Sequence, residues 1–282
     1  MSKSEQPISS ERWSLRAPAA AMASLVLCFA AGSRVPAALG ADMSAGQVTQ
    51  ALFKAKTGEM IDLNARNLRE LDLAGIDFKG ARLAGSDLYG SDLSGANLKG
   101  VDLKGASLNR ANVARADFSG ANIEGGSLLR MTIFTTLERD PREAPKFMGA
   151  RMQNTKLSGW MDGTDFSGAD LTGAVFGQQD AHNEGLLASR VRLVGADFSN
   201  ANLTDVDLSG SQLTYGHFVN ATAVNTNFRD ADLAKADFTG ADVTGMDVTG
   251  ANLEDAKFTG AKGIDTIKGL AQALNASHVT AQ

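Results

Sequence analysis

From Leu63 onward an apolar residue returns at every fifth position, with a small residue commonly two places before it. One block of these central positions runs from Leu63, Leu68, Leu73 and Phe78 through Leu128 to Ile133, and a second runs from Leu193, Phe198 and Leu203 to Phe258. All 29 are apolar, where a hydrophobic content of 43% would make about 12 so by chance. Helices repeat at about 3.6 residues and strands at 2, so neither produces this period. The backbone has to turn once per repeat. Two places after each central residue stand Gly75, Gly80, Gly85, Gly90, Gly95, Gly100 and Gly105, and in the second block Gly, Asn or Asp fills 12 of 14 such places. These residue types tolerate positive φ or bond to their own backbone. The pattern predicts very short extended pieces joined by corners.

The units Ser91-Asp92-Leu93-Ser94-Gly95, Ala96-Asn97-Leu98-Lys99-Gly100 and Ala236-Asp237-Phe238-Thr239-Gly240 resemble the A-(D/N)-L-x-x repeats of the pentapeptide-repeat family. The resemblance covers about residues 61–133 and 191–260, with a degraded version between them. It implies an all-β solenoid: a right-handed quadrilateral β-helix of four pentapeptides per coil, with the central residue and the small residue before it facing inward. Four sides require a second period of 20, and Phe198, Phe218, Phe238 and Phe258 display it, with Phe78 and Phe118 on the same phase. Phenylalanine is thereby expected to line one interior face.

Between Ile133 and Leu193 only fragments survive, Ala150/Met152, Thr155/Leu157, Thr164/Phe166, Ala169/Leu171 and Ala174/Phe176. The separation of Ile133 from Leu193 equals twelve pentapeptides or three coils, which predicts one continuous solenoid of about ten coils, 61–262, about 48 Å long, the alternative being two solenoids joined by a linker. Loops are expected near 134–146 and 177–190, where no pentad fits. Both ends carry helix signals that would cover the terminal coils. Ser44 and Gln47 form a capping box before Val48, Ala51, Leu52 and Ala55, giving a helix within 41–60. Asp265 precedes Ile267, Leu270, Ala271 and Leu274, predicting a second helix within 263–282.

Arg12 and Arg16 precede an apolar run, Ala17 to Ala31, and small residues around Ala38-Leu39-Gly40-Ala41, which reads as a signal peptide over 1–40. The expected localisation is a periplasm or another exported compartment, a thylakoid lumen if the source is photosynthetic, with no stable membrane insertion after cleavage. Cys28, the one cysteine, falls inside that run, so the mature chain contains no disulfide. Cleavage after Gly40 leaves 23 basic against 30 acidic residues, a balance of −7 that argues against nucleic acid as a direct ligand.

Asp and Asn precede many central residues, among them Asp92, Asn97, Asp237 and Asp242; a repeated carboxylate reads as a solvated position of the repeat, not a tuned acid or a calcium ladder. His182, His217 and His278 are far apart, and no phosphate loop, nucleophile elbow or zinc motif occurs. The expectation is therefore no catalytic residue, no metal and no cofactor. Partner-binding candidates are Arg139, Arg142 and Glu143 in the first loop, His182 and Glu184 in the second, and Trp160, the one tryptophan of the mature chain. Tyr89 and Tyr215 fall on different faces and build no platform.

These features predict a non-enzymatic extracytoplasmic scaffold or protein-interaction module, monomeric or homodimeric, with a protein as partner. The alternative, implied by the resemblance, is a DNA-mimicking gyrase binder of the quinolone-resistance type. Export contradicts it, and Lys79, Lys99, Lys104, Arg110 and Arg115 interrupt any acidic stripe. A carbohydrate-active enzyme would need a clustered acid and base, and none is visible.

Overall fold

A single repeat explains the architecture. In Ser91–Gly95 all five backbone N–H donors are bonded. Asp92 donates to the Leu71 carbonyl of the preceding coil at 2.8 Å, while Leu93 and Gly95 donate to Asn112 and Ala114 of the following coil at 2.7 Å each. Ser91 donates back to Leu88 at 3.1 Å, closing the corner, and Ser94 donates to the Asp92 Oδ1 at 2.8 Å. The corner residue is left-handed, with φ of 65° at Gly95, and the same conformation is held by Arg110 (59°), Asn200 (59°) and Lys235 (59°). Non-glycine residues adopt it only when the surroundings hold them there.

These repeats come from a computed structural model that describes residues 40–56, 59–134, 140–177, 191–277 and 279. Gly40–Gln282 form one compact unit; Met1–Leu39, with the signal peptide read there, lie outside the described residues. Parallel bridges join successive coils in four columns, beginning at Asp62, Asn67, Asp72 and Asp77, which we call sides one to four.

The expected β-helix solenoid, all-β and closed by a helix at each end, is corrected by this arrangement. Among the described residues, regular strand is confined to β1 (Ser127–Leu129), β2 (Lys156–Ser158) and β3 (Val175–Phe176), an open parallel sheet of order β1-β2-β3. Elsewhere the coils meet through single-residue bridges, because a chain that turns every five residues leaves one residue per side free to pair across. The molecule is a stack of turns, held by backbone bonds between coils and by an apolar interior.

That interior is dominated by side four. Phe118, Phe147, Phe166, Phe198, Phe218, Phe238 and Phe258 stack in sequence with centroids 4.5–5.3 Å apart and planes within 11°. Phe78 lies two coils before Phe118 in the same column, since Asp77 bridges Asn97 and Asn97 bridges Asp117. Phe176 and Phe228, on side two, meet this column edge-on at 5.7–6.3 Å. Offset and edge-on contacts both suit the ring quadrupole.

The stretch from Ile133 to Leu193 forms two coils rather than three. Side three passes from Thr132 in the fourth coil to Trp160 in the fifth and Arg192 in the sixth, in step with sides one and two, and Trp160 bridges Arg192. Side one, read through the same region, steps from Asn122 to Arg151, then to Asp170, then to Asn202. Against the ordinary coil of four pentads, the first step is nine longer, the second one shorter and the third twelve longer. Together these departures add up to one whole coil, so the sequence returns to phase with a coil fewer than its length suggests. The lengthened steps fall between Thr132 and Lys146 and between Val175 and Arg192; of the loops expected near 134–146 and 177–190, residues 135–139 and 178–190 lie outside the described residues.

At the N-terminus α1 (Ala45–Lys54) starts with a capping box: Ser44 Oγ accepts from Gln47 N–H at 3.3 Å, and Gln47 Oε1 accepts from Ser44 N–H at 2.8 Å. Val48 and Leu52 are buried against the core, and Asp42 pairs with Asn67 through backbone and side chain at 2.7 and 2.8 Å. The helix expected within 263–282 is not formed among the described residues there. Gly263, Gly269 and Asn275 are left-handed, at 76°, 73° and 57°, and interrupt it at every sixth position. Lys262, Lys268 and Leu274 instead bridge to Asp242, Asp247 and Asn252, with 3-10 turns at Ile264–Thr266 and Leu270–Gln272 between them. Ile264, Ile267, Leu270, Ala273 and Ala276, each three positions after the last, rest on the end of the core.

Two outcomes follow from this packing. Phe238→Ala removes a ring fully enclosed by Phe218, Phe228 and Phe258; chemical denaturation should show a loss of about 3–5 kcal/mol. Gly269→Ala would set a Cβ 2.6 Å from Thr249 Cα, whereas Gly85→Ala meets nothing within 4 Å. Both incur the left-handed penalty of roughly 1–2 kcal/mol. Gly269→Ala should cost clearly more and accelerate hydrogen exchange in the last coil, and equal losses would contradict the clash.

Candidate functional site

The repeated Asp and Asn residues are the densest polar feature, and they are structural, not merely solvated as the repeat pattern suggests. They accept the one N–H in the pentad that no carbonyl reaches: Asn64 donates to Asp62 at 3.0 Å, Ser199 to Asp197 at 2.8 Å, Thr239 to Asp237 at 2.9 Å. An Oδ1 atom takes a second bond where the next coil supplies an amide. Asn122 Nδ2 donates to Asp102 at 2.9 Å, Asn227 to Asp207 at 2.9 Å and Asn252 to Asp232 at 3.1 Å. Each Oδ1 used in this way is committed to the coil itself, which leaves the second carboxylate oxygen for outward contacts. Among the described residues no group of three or more His, Cys, Asp or Glu is placed to hold a metal ion.

Three ion pairs between coils share one geometry. Arg69 pairs with Asp87 at 2.8 Å, Lys99 with Asp117 at 3.2 Å and Arg229 with Asp247 at 3.0 Å. Each cation stands just after a central residue, and its carboxylate stands just before the central residue of the next coil on the same side. Exposed pairs of this kind add little stability individually, typically below about 1 kcal/mol, and Lys104–Glu124, Arg192–Asp162 and Lys257–Asp237 join neighbouring coils with other placements.

The sequence-selected residues do not form one cluster. Arg142 and Glu143 lie in a 3-10 turn, Pro141–Glu143. Arg142 is exposed and forked onto Asp140, whose carboxyl is held below its ordinary range by the Arg142 guanidinium. Glu143 is 8% exposed, and its carbonyl accepts Arg115 N–H at 2.6 Å. Trp160, 48% exposed, stands on side three one coil beyond Thr132, where the first insertion leaves the stack. Arg139, His182 and Glu184 lie outside the described residues. Tyr89 builds no aromatic platform, as expected; its ring instead holds the Arg69 guanidinium at 4.1 Å, with that of Arg110 at 5.8 Å.

A family model described as pentapeptide repeats in eight copies matches residues 62–100 and 96–128, and one described as a pentapeptide repeat region matches 191–265. The chain belongs to the pentapeptide-repeat family. The two matched blocks flank the coils that carry both insertions. Among solved structures, this pentapeptide-repeat chain is similar to HetL, a pentapeptide repeat protein involved in heterocyst differentiation regulation in the cyanobacterium Nostoc, at 21% identity over 83% of this chain and 93% of that one, TM-score 0.34. It is also similar to a trypsin-treated form of QnrB1, a plasmid-mediated fluoroquinolone resistance protein, at 19% identity over 68% and 87%, TM-score 0.42. A pentapeptide repeat protein of the Arabidopsis thaliana thylakoid lumen shares 25% identity over 53% and 66%, TM-score 0.11. No curated protein matches the chain.

The carboxylate bonds set the pH response. Asp242 is held below its ordinary 3.8 by the Thr244 hydroxyl at 2.6 Å and the Thr244 N–H at 3.1 Å. For Asp247 burial pushes upward, but the Thr249 hydroxyl and N–H and the Arg229 guanidinium outweigh it, so it too is lowered. A carboxyl whose folded value lies below its unfolded one stabilises the fold above the unfolded value, and loses that contribution as pH falls through the folded one. Thermal melts should therefore be flat near neutrality and decline below about pH 4. Asp242→Asn, which keeps the acceptor but cannot titrate, should weaken that decline.

Proposed function

We propose that this pentapeptide-repeat chain is a non-enzymatic, exported scaffold that binds a protein partner on its outer faces. The observation that carries this reading is the use made of its polar side chains. The recurring carboxylates and amides serve the coil's own backbone, and what remains outward is a set of flat, rigid sides presenting side chains at fixed intervals. Such a surface is suited to recognition over an extended area rather than to chemistry in a cleft. Export is supported by the basic and apolar pattern of residues 12–31, and by a compact unit that begins at Gly40, beside the expected cleavage point. A monomer or homodimer accords with ends that are covered by α1 and by the 3-10 coil.

Expression of the full chain with a C-terminal tag in a bacterium, followed by fractionation and determination of the N-terminus, tests the compartment. The expected product is extracytoplasmic and begins near Ala41; an unprocessed cytoplasmic product would refute export. Crosslinking in the same fraction should then yield a discrete heteromeric species, and its persistent absence would count against the scaffold reading.

A further inference from the structure

Side two carries charge of one sign in its middle coils. From coil three to coil five its outward positions hold three cations, Arg110, Arg130 and Lys156, and no carboxylate. Over the same coils side one carries Asp102 and Glu124, side three Asp162, and side four Asp117 and Asp165. The positions that pair cations elsewhere are filled differently here. Where other coils of this side set Arg69 against Asp87 and Arg229 against Asp247, Asn109 faces Ser127, which donates to Asn109 Oδ1 at 2.7 Å. The residue that would face Lys156 from the preceding coil, after allowance for the inserted residues, is Leu129, and the one after Lys156 in the column is Val175.

The backbone of this surface is satisfied internally. Leu129 N–H donates to Asn109 Oδ1 at 2.9 Å, and Arg130 N–H reaches the Ser158 carbonyl at 2.9 Å and its hydroxyl at 3.3 Å. Arg110, Arg130 and Lys156 are all exposed, and Arg110 and Lys156 form no ion pair among the described residues. This is also where the regular sheet β1-β2-β3 lies, so the charges sit on the most strand-like part of the stack. Tyr89 borders it, between the guanidinium groups of Arg69 and Arg110. Arginine and tyrosine are residue types that concentrate binding energy at protein interfaces.

Resting on the protein-binding reading above, we propose that side two between Tyr89 and Lys156 is the docking surface, and that the partner presents an extended acidic segment to it. Successive coils are about 4.8 Å apart, so the cations span only a few residues of an extended chain, whose carboxylates supply the counter-charges that Arg110 and Lys156 lack.

The test is fluorescence anisotropy of a short labelled oligo-glutamate peptide with the mature chain. Binding should weaken as salt rises, and the Arg110→Glu, Lys156→Glu double variant should bind at least roughly tenfold more weakly. Lys257→Glu, on side four, should bind like the parent. The double variant should melt close to the parent's temperature, since neither residue is ion-paired among the described residues and Arg110 gives up only an exposed contact 5.8 Å from the Tyr89 ring; if it does not fold, hydrogen exchange of the parent replaces it, with protection by the peptide expected at 107–110, 127–130 and 156–159. Undiminished binding by a folded double variant, equal loss with Lys257→Glu, or protection elsewhere would overturn the proposal. So would parent protein that ignores the peptide yet binds anionic phosphatidylglycerol vesicles through Arg110 and Lys156. None of these failures would touch the crosslinking result, which stands or falls independently.

Discussion

Five backbone N–H groups per repeat have to be satisfied, and the coil's carbonyls reach only four of them. In Ser91–Gly95 the fifth, on Ser94, is met by the side chain of Asp92. A buried or half-buried donor left unpaired costs on the order of 1–3 kcal/mol, and the demand recurs at every turn. The preference for Asp or Asn before the central residue follows from this requirement. So does the left-handed corner, which aims the next N–H at the neighbouring coil. Apolar filling of the interior then becomes possible, because the polar groups of the wall are already matched.

The wall is readable from sequence because its constraint repeats identically. A period of five exposes the corners, and a period of 20 exposes the column of rings from Phe198 to Phe258. What breaks the period is harder to see. Phe147 and Met161 are as buried as other central residues, yet the insertions and the one-residue deletion set them out of phase, and the period does not reveal them. The return to phase at Leu193 conceals a missing coil, since the two insertions less the deletion amount to a full turn. The apolar spacing after Asp265 resembles a helix because 3-10 turns and α-helices both return an apolar residue after three positions. Gly263, Gly269 and Asn275 at every sixth position are the signal that separates them.

The candidate site is less legible for a related reason. Selection by residue type favours a tryptophan and charged residues in the insertions, and these are scattered: Arg142 is bound to Asp140, Glu143 is buried, and Trp160 lies on another coil. The cationic stretch of side two is invisible along the chain, where Arg110, Arg130 and Lys156 are well separated. It emerges only when the sequence is wrapped at its true coil lengths, including the lengthened step that brings Lys156 beside Ser127. Its chemical character depends as much on Ser127 as on the cations, because Ser127 stands where Asp87 and Asp247 stand in other coils of this side.

The change from five-residue to six-residue spacing in the last coil bears on how such a molecule stops. Every coil of a stack is a template for another, and a chain end with ordinary pentad geometry would offer its carbonyls and N–H groups to the first coil of a second molecule. Here the final turn still reads backward, through Lys262, Lys268 and Leu274, but its outer edge has a longer perimeter and 3-10 corners that a pentad coil cannot match. A pentad coil brought against that edge would lose register at the first corner, so the six-residue spacing makes this coil a poor template for another.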